Sequence, residues 1–310
     1  MNFFRKIDYQ NSSSNIICEN QIYSYRDLFY DINKFNFLAE KKSLVFILSE
    51  NNYECVAAYS GVSYFDSVVL LLDRSIKEEA LSTLINSFKP SYIFQNTNRM
   101  AIDNWVPVLK IGVYCLYSTG YTKDYVLNKN LSLLLPTSGT TGSPKCVRLS
   151  YSNIYSNTVA ICNYLNISSR DRVITTLPMS YSYGLSIINT HLFSNSSLIL
   201  TNLSFAQRLI WDLIKKFKVT AFGGVPYTFE LLRKLNFSKL NIDSFHYVTQ
   251  AGGKLDLNVL KYFTKVCKKK KIKFFVMYGQ TEASPRMSFL PPEMIETKIG
   301  SIGIPIQDGK

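Results

Sequence analysis

Short runs of wholly apolar residues recur along this chain, each separated from the next by a capped or amphipathic stretch. The runs Ser43–Leu48, Ser67–Leu72 and "SYIF" at 91–94 carry too few polar side chains for strands with one face in water. Strands of that kind belong to sheets covered on both faces. Helix patterns lie between them. Ser24 stands at an N-cap position, with Asp27 at the third position of a helix beginning near Tyr25. The segment Tyr53–Tyr64, carrying Val56, Ala57, Tyr59 and Ser60, reads as a buried helix. Ser75 and Glu78 have capping-box spacing for a helix through Phe88, striped by Leu81, Leu84, Ile85 and Phe88 and ended by Pro90. Apolar strands alternating with helices fold as parallel β-α-β units, so the expected class is α/β.

The second half repeats this grammar. A helix with Ile154, Thr158, Ile161 and Leu165 leads to a strand at Arg172–Leu177, the segment "PMSYSYGLS" and a strand at Ser197–Leu200. A helix over Phe205–Phe217 carries Leu209, Ile210, Leu213 and Phe217. The strand Val219–Gly223 runs into "GVPYTFELL", where Pro226 suits a helix first turn. His246–Gln250 is a strand ending in Ala251-Gly252-Gly253, followed by a helix over Leu257–Lys268. Lys273–Met277 is a strand ending in "YGQTEAS". These last two strands bracket one helix, so they run parallel and release their loops at the same carboxyl edge. Ligands of open α/β sheets bind outside that edge. Geometry alone therefore nominates Gly252–Gly253 and Tyr278–Glu282 as two walls of one site.

With 310 residues, 46% apolar and 18% charged, the chain can bury a core for two subdomains and is not of the disordered class. Its net charge of +13 is spread along a chain rich in Lys, Asn, Ile, Phe and Tyr. No basic and aromatic stripe forms, which argues against a nucleic-acid partner. The dense run Lys268–Lys271, followed by Lys273, closes a helix, where the dipole favours cations. The six cysteines form no C-x-x-C pair and there are only two histidines, so nothing points to a zinc-type site. His191 and His246 are placed in packed elements without a catalytic role. The N-terminus has no apolar h-region, and no apolar run approaches the ~20 residues of a membrane span. The expected setting is cytoplasmic.

One segment stands apart from this pattern. Thr137-Ser138-Gly139-Thr140-Thr141-Gly142-Ser143-Pro144-Lys145 follows a leucine-rich strand and holds five hydroxyls, two glycines and a lysine. Such a backbone can turn its N–H groups towards an anion, the hydroxyls add donors, and lysine supplies a point charge for phosphate. An ordinary Ser/Thr-rich turn is the plain alternative. The spacing is not that of a Walker A loop, because Gly139 and Gly142 are too close and Pro144 precedes the lysine. Pro144 biases Ser143 towards extended geometry, and "KCVRLS" reads as a strand, so the segment looks like a strand–loop–strand phosphate clamp. Ser150 or Ser152 then caps the next helix.

"TSGTTGSPK" resembles the phosphate loop of the adenylate-forming (AMP-binding) superfamily, which includes acyl-CoA synthetases, peptide-synthetase adenylation domains and luciferases. "YGQTE" at 278–282 resembles its second signature, with "LPMSYSYGLS", "GVP" and "AGGKL" in order between them. The closing "KIGSIGIPI" resembles the segment leading into the family's third subdomain. The resemblance covers essentially all of the chain. It implies two doubly wound, mostly parallel sheets flanked by helices, the family's large N-terminal domain over 1–310 with approximate halves 1–170 and 171–310. It also implies a two-step reaction: ATP and a carboxylic acid give an acyl-adenylate and pyrophosphate, and the acyl group then passes to a thiol of coenzyme A or a carrier phosphopantetheine. Carried over by position, Thr137, Ser138, Gly139, Thr140, Thr141, Gly142 and Lys145 would hold the β- and γ-phosphates. Gly252 and Gly253 would let the backbone approach adenine, with Tyr278 stacked on it and Gly279 beside it. Thr281 would donate to the α-phosphate and Glu282 would bind Mg²⁺. Tyr181, Tyr183, Gly184, Val225 and Pro226 would line the acid pocket. Outside the resemblance, Tyr181 and Tyr183 are open to a reading as core aromatics, and Glu282 as a dipole-stabilised helix acid.

Departures from the family pattern bear on these roles. Cys146 stands where glycine is usual after the loop lysine, and Tyr181 where histidine is common. The chain stops at Lys310, before the family's β-barrel subdomain, ribose-binding aspartate and C-terminal lid domain with its adenylation lysine. The expectation is a polypeptide that folds but adenylates poorly alone, with a separate lid chain or an acyl carrier protein as possible partners. Three readings stay open: an acyl-CoA synthetase-like ligase, an enzyme loading a carrier protein, and a non-catalytic nucleotide-binding remnant. The Tyr-rich, apolar pocket and the "TQAGGKL" span favour an acid without an amino group.

Overall fold

Local chemistry sets the first helix. Ser24 Oγ accepts the Asp27 N–H at 3.1 Å, and the Asp27 carboxylate accepts the Ser24 N–H at 2.7 Å. This closes the expected capping box. The structure is a computed structural model and describes residues 1–19, 21–99, 105–121, 125–136 and 145–309. In chain order the first elements are β1 (Asn15–Cys18), β2 (Gln21–Ser24), α1 (Tyr25–Asn33), β3 (Leu44–Ser49), α2 (Tyr53–Tyr64), β4 (Val68–Asp73), α3 (Glu78–Phe88) and β5 (Tyr92–Asn96). Then come β6 (Val106–Ile111), β7 (Tyr114–Ser118), β8 (Leu131–Pro136), β9 (Cys146–Ser150), α4 (Tyr151–Leu165) and β10 (Arg172–Thr175). The remainder is α5 (Ser182–Phe193), β11 (Ser197–Leu200), α6 (Arg208–Lys216), β12 (Ala221–Gly224), α7 (Pro226–Lys234), β13 (Tyr247–Gln250), α8 (Leu257–Lys269), β14 (Lys273–Gly279), β15 (Arg286–Leu290) and β16 (Ile304–Pro305).

These strands form two mixed, mostly parallel sheets. The smaller has seven strands in the order β6-β7-β5-β3-β4-β8-β9, and the larger has nine in the order β16-β15-β14-β13-β12-β10-β11-β1-β2. In the smaller sheet β5, β3, β4 and β8 are parallel, and β9 closes one edge antiparallel to β8. In the larger sheet the run from β1 to β14 is parallel, with antiparallel β2 at one edge and β15 and β16 at the other. Chain order and sheet membership part company at the start, because β1 pairs with β11 across Ile16 and Leu198.

The strands are buried on both faces, as their composition requires. In β3, Val45 and Ile47 face a core shared with α1, α2 and the larger sheet, while Leu44, Phe46 and Leu48 face Leu81 and Ile85 of α3. Helix α2 is buried along nearly its whole length, which explains why it carries no polar stripe. On the far side of the larger sheet, Phe222, Val248 and Phe274 pack against Ile210, Phe229 and Phe263 of α6, α7 and α8.

Several expectations need correcting. Ser75 does not cap α3. Its Oγ and N–H both bond the Asp73 carboxylate, at 2.5 and 2.9 Å, and Lys77 takes the N-cap position without a side-chain bond. An aspartate at the end of β4 competes for the hydroxyl. The segment after β10 is a helix, α5, which had been read only as a motif. It is buried on nearly all sides and shows no stripe. His246 is not packed. Its side chain is 65% exposed, 3.8 Å from Asp171. His191, by contrast, is buried as expected. Its Nδ1–H donates to Ile187 O at 2.8 Å and Nε2 accepts from Tyr247 Oη at 3.1 Å, and burial pulls its pKa down to about 4. The hairpin β6–β7 and the ribbon β1–β2 were not anticipated.

Candidate active site

Strands β12, β13 and β14 lie side by side in parallel register, so the segments that follow them emerge at one edge. After β13, Gln250 Nε2 donates back to Gly253 O at 2.8 Å and holds the loop in a tight arc. Gly252 has φ +80°, and a Cβ there would lie 2.6 Å from Tyr181 Oη and 3.0 Å from Val225 Cγ1. Only glycine fits that backbone and that space. After β14, a Cβ on Gly279 would stand 2.0 Å from Pro285 O, an acceptor for the Gln280 N–H at 2.8 Å. A short 3₁₀ turn over Thr281–Ala283 follows.

Helix α5 brings its first turn to the same edge, with Tyr181 at the N-cap. Ser182 Oγ lies 3.1 Å from Thr281 Oγ1, which joins α5 to the turn after β14. Tyr183 is buried, with its hydroxyl 2.9 Å from Thr249 O and 2.7 Å from Thr249 Oγ1. Burial raises its pKa, while the nearby Arg286 charge acts in the opposite sense. The Tyr181 hydroxyl is raised by burial too, again opposed by Arg286. Together these groups bound a cleft of about 510 Å³, lined among others by Tyr181, Ser182, Gly252, Thr281, Glu282 and Arg286. Asp73 and Pro136, at the ends of β4 and β8, contribute the smaller sheet's wall.

The nominated residues take different places around this cleft. Tyr181, Tyr183, Gly252, Gly279, Thr281 and Glu282 line it. Gly184 packs beneath it, where a Cβ would meet Pro178 O at 2.3 Å, and Val225 and Pro226 back the Gly252–Gly253 arc. Tyr278 is 43% exposed at the end of β14. Lys145 is exposed just before β9, at the mouth of the β8–β9 hairpin where Pro136 pairs with Cys146. The strands of the clamp are thus antiparallel neighbours, while Thr137, Ser138, Gly139, Thr140, Thr141 and Gly142 lie outside the described residues. Cys146 is half-buried, and burial pushes its thiol up to about 11.

Two residues at this edge had escaped notice. Asn157 of α4 is buried and grips the wall after β14: Nδ2 donates to Arg286 O at 2.8 Å and to Ala283 O at 3.3 Å, and Oδ1 accepts the Arg286 N–H at 3.3 Å. Its signal was an amide within the Ile154–Ile161 apolar stripe, where polar residues are uncommon without a partner. Arg286 is buried at the start of β15, the one charged residue of that strand.

The family model for AMP-binding enzymes matches residues 3–309. The chain belongs to the AMP-binding enzyme family. It is 26% identical over 273 residues to a 2-succinylbenzoate–CoA ligase of Bacillus cytotoxicus, covering 86% of this chain and 54% of that protein. Among solved structures, O-succinylbenzoate coenzyme A synthetase (MenE) from Bacillus subtilis in complex with AMP superposes with a TM-score of 0.78 at 22% identity, over 99% of this chain and 64% of that one. VinN gives a TM-score of 0.81 at 18% identity, over 98% of this chain and 80% of that one. The structural likenesses speak for the fold of an AMP-binding enzyme. The chain spans about half the length of the curated relative named here.

The groups an AMP-binding enzyme implies can be tested against this cleft. Gly252 lines the cleft with backbone alone, its Cβ position being taken by Tyr181 and Val225, and a flat ligand in the cleft can lie against that backbone. Magnesium is commonly held by one or two carboxylates plus substrate phosphates rather than by a protein cage. Glu282 at the cleft fits that pattern, and no group of three metal-ligating side chains exists among the described residues. No described helix is long and apolar enough to cross a membrane.

Proposed function

We propose that this chain binds ATP with Mg²⁺ at the carboxyl edge of the larger sheet and activates a carboxylic acid as its acyl-adenylate, for transfer to the thiol of coenzyme A. The observation that carries the reading is the Gly252 arc. Its bare backbone packs directly against Tyr181 and Val225 and lines one cleft with the hydroxyls of Ser182 and Thr281. Two of the similar proteins, a 2-succinylbenzoate–CoA ligase and O-succinylbenzoate coenzyme A synthetase, use coenzyme A, which supports it as acceptor over a carrier phosphopantetheine. The scattered free cysteines suit a cytoplasmic setting.

A carboxylate is a poor electrophile because its leaving group would be oxide. Adenylation supplies a better one, so the site must align two anions and offset charge on the α-phosphate. Thr281, held by Ser182, donates to that phosphate. Lys145 and the loop Thr137–Gly142 hold the β- and γ-phosphates. Gly252, Gly253, Tyr278 and Gly279 receive the adenine. Tyr181 and Tyr183, with Gly184, Val225 and Pro226 packed behind, bound the acid. Glu282 holds the magnesium, which when bound neutralises phosphate charge.

The test is equilibrium binding of ATP and AMP to this chain, with and without Mg²⁺, followed by ATP–pyrophosphate exchange with 2-succinylbenzoate as the first acid. Lys145→Ala should weaken ATP by about tenfold, the equivalent of one lost charge-assisted contact, and leave AMP nearly unchanged. Equal losses for both would reject its placement. Glu282→Ala should remove the Mg²⁺ dependence of ATP binding and leave the fold intact. Failure of ATP to bind with Mg²⁺ present overturns the whole reading.

A further inference from the structure

Arg286 is only 3% exposed, yet it lines the cleft. Its guanidinium carbon sits 5.0 Å from the centre of the Tyr183 ring. Nη1 donates to Tyr164 Oη at 2.8 Å and also lies against the Met277 sulfur. These partners are a ring, a phenol and a thioether, all neutral. None of the ion pairs among the described residues includes Arg286. Its Nε and Nη2 have no partner among the described residues.

A guanidinium removed from water without an anion is unfavourable, and such groups are normally paired. The planar fork is also the side chain best shaped to grip a carboxylate through two parallel hydrogen bonds. The surroundings hold it in place. Asn157 bonds both the N–H and the C=O of Arg286, Tyr164 stacks on Phe289 with ring centres 4.0 Å apart, and Tyr183 is anchored to Thr249. A fixed cation with donors to spare, set between the Tyr164 and Tyr183 side chains, is organised for an anion that is still to arrive.

We infer that Arg286 sets the specificity of the acid pocket by taking a second anionic group of the substrate, so that the chain selects a short dicarboxylic acid over a plain fatty acid. This rests on the acid-activating reading above. The reacting carboxylate is a poor match for Arg286. Adenylation turns it into the acyl side of a mixed carboxylic–phosphoric anhydride and would strip the cation of its partner, and a tight ion pair would blunt its attack. A second carboxylate keeps its charge through the reaction.

The test uses pairs of 5′-O-(N-acylsulfamoyl)adenosines, non-reacting mimics of an acyl-adenylate. Succinyl, glutaryl and adipoyl versions are matched with butanoyl, pentanoyl and hexanoyl versions of equal chain length. At least one carboxylate-ended probe should bind this chain about tenfold or more tightly than its methyl-ended match. Arg286→Met, similar in length but neutral, should erase that preference while the methyl-ended probe binds as before, and Arg286→Lys should retain part of it. If Arg286→Met does not fold, the preference of the unmodified chain and its change in Arg286→Lys decide the matter. Equal binding of both members of every pair overturns the inference and leaves the nucleotide reading standing. A parallel loss of both probes in folded Arg286→Met also overturns it, because that is what a purely structural arginine would give. Failure of every probe to bind removes the nucleotide reading and this inference with it.

Discussion

The two sheets present the same kind of carboxyl edge, but they have filled it differently. At the smaller sheet a cavity of about 450 Å³ opens beyond β3, β4 and β5, lined by Arg74, Glu78, Gln95 and Arg99 among others. Its two arginines are already paired. Arg74 pairs with Glu50 at 2.5 Å, Arg99 pairs with Glu78 at 2.9 Å, and the Tyr114 hydroxyl donates to Glu50. At the larger sheet Gly252 and Gly279 let neighbouring groups pack against bare backbone, and the edge carries the Ser182–Thr281 hydroxyl pair and holds Arg286 without a described counter-ion. Topology offers a crevice at both edges. What separates a candidate site from a filled one is an unspent charge.

The largest effect is expected at Gly279. An alanine Cβ would sit 2.0 Å from Pro285 O, which is backbone and cannot swing aside. The turn carrying Thr281 and Glu282 must then shift. Gly279→Ala should cost about 3 kcal/mol of stability, towards the upper end for overpacking, and should abolish measurable ATP binding. Urea unfolding and an ATP titration check the two parts separately. Unchanged ATP affinity would mean that the placement of this turn is not what makes the edge a site.

Asn157 comes next. Its side chain touches none of the residues assigned to the nucleotide, but it ties the backbone at Ala283 and Arg286 to α4. Asn157→Ala leaves buried peptide groups without partners, at a cost of about 2 kcal/mol. ATP binding should loosen by a smaller factor than in Gly279→Ala. Asn157→Asp keeps the acceptor and loses the donors, so it should fall between the two. A stability loss without any change in ATP affinity would show that the wall's position is not limiting.

Much of this edge was legible beforehand, and the reasons are local. The pair β13–β14 was readable because one helix between two apolar strands dictates parallel order and a shared exit. The Ser24 box was readable because both partners are in sequence range. Ser75 failed for a related reason: a second acceptor, Asp73, lies equally near and won the hydroxyl. Helix α5 was hidden because burial on all sides erases periodicity. Arg286 and Asn157 were hidden because their meaning is a distance across 129 residues of chain, which no local pattern encodes. Likewise, the filled edge of the smaller sheet depends on Glu50 meeting Arg74 and Tyr114, three residues from separate elements.

The smallest effect should fall on that filled edge, and it tests the comparison from the other side. Arg74 is 62% exposed and its partner Glu50 is 13% exposed. An exposed pair of this kind contributes about 0–1 kcal/mol, because water screens it and ordering two side chains costs entropy. Glu50 also keeps other donors when Arg74 is removed: the Tyr114 hydroxyl and, at 3.5 Å, Asn202 Nδ2. Arg74→Ala should therefore lower stability by less than about 1 kcal/mol and leave ATP and AMP affinities within error of the unmodified chain. A clear loss of nucleotide affinity would give the smaller sheet's edge a part in binding. The charges there would then be a reserve for a ligand rather than a neutral surface, and the contrast between the two edges would fail.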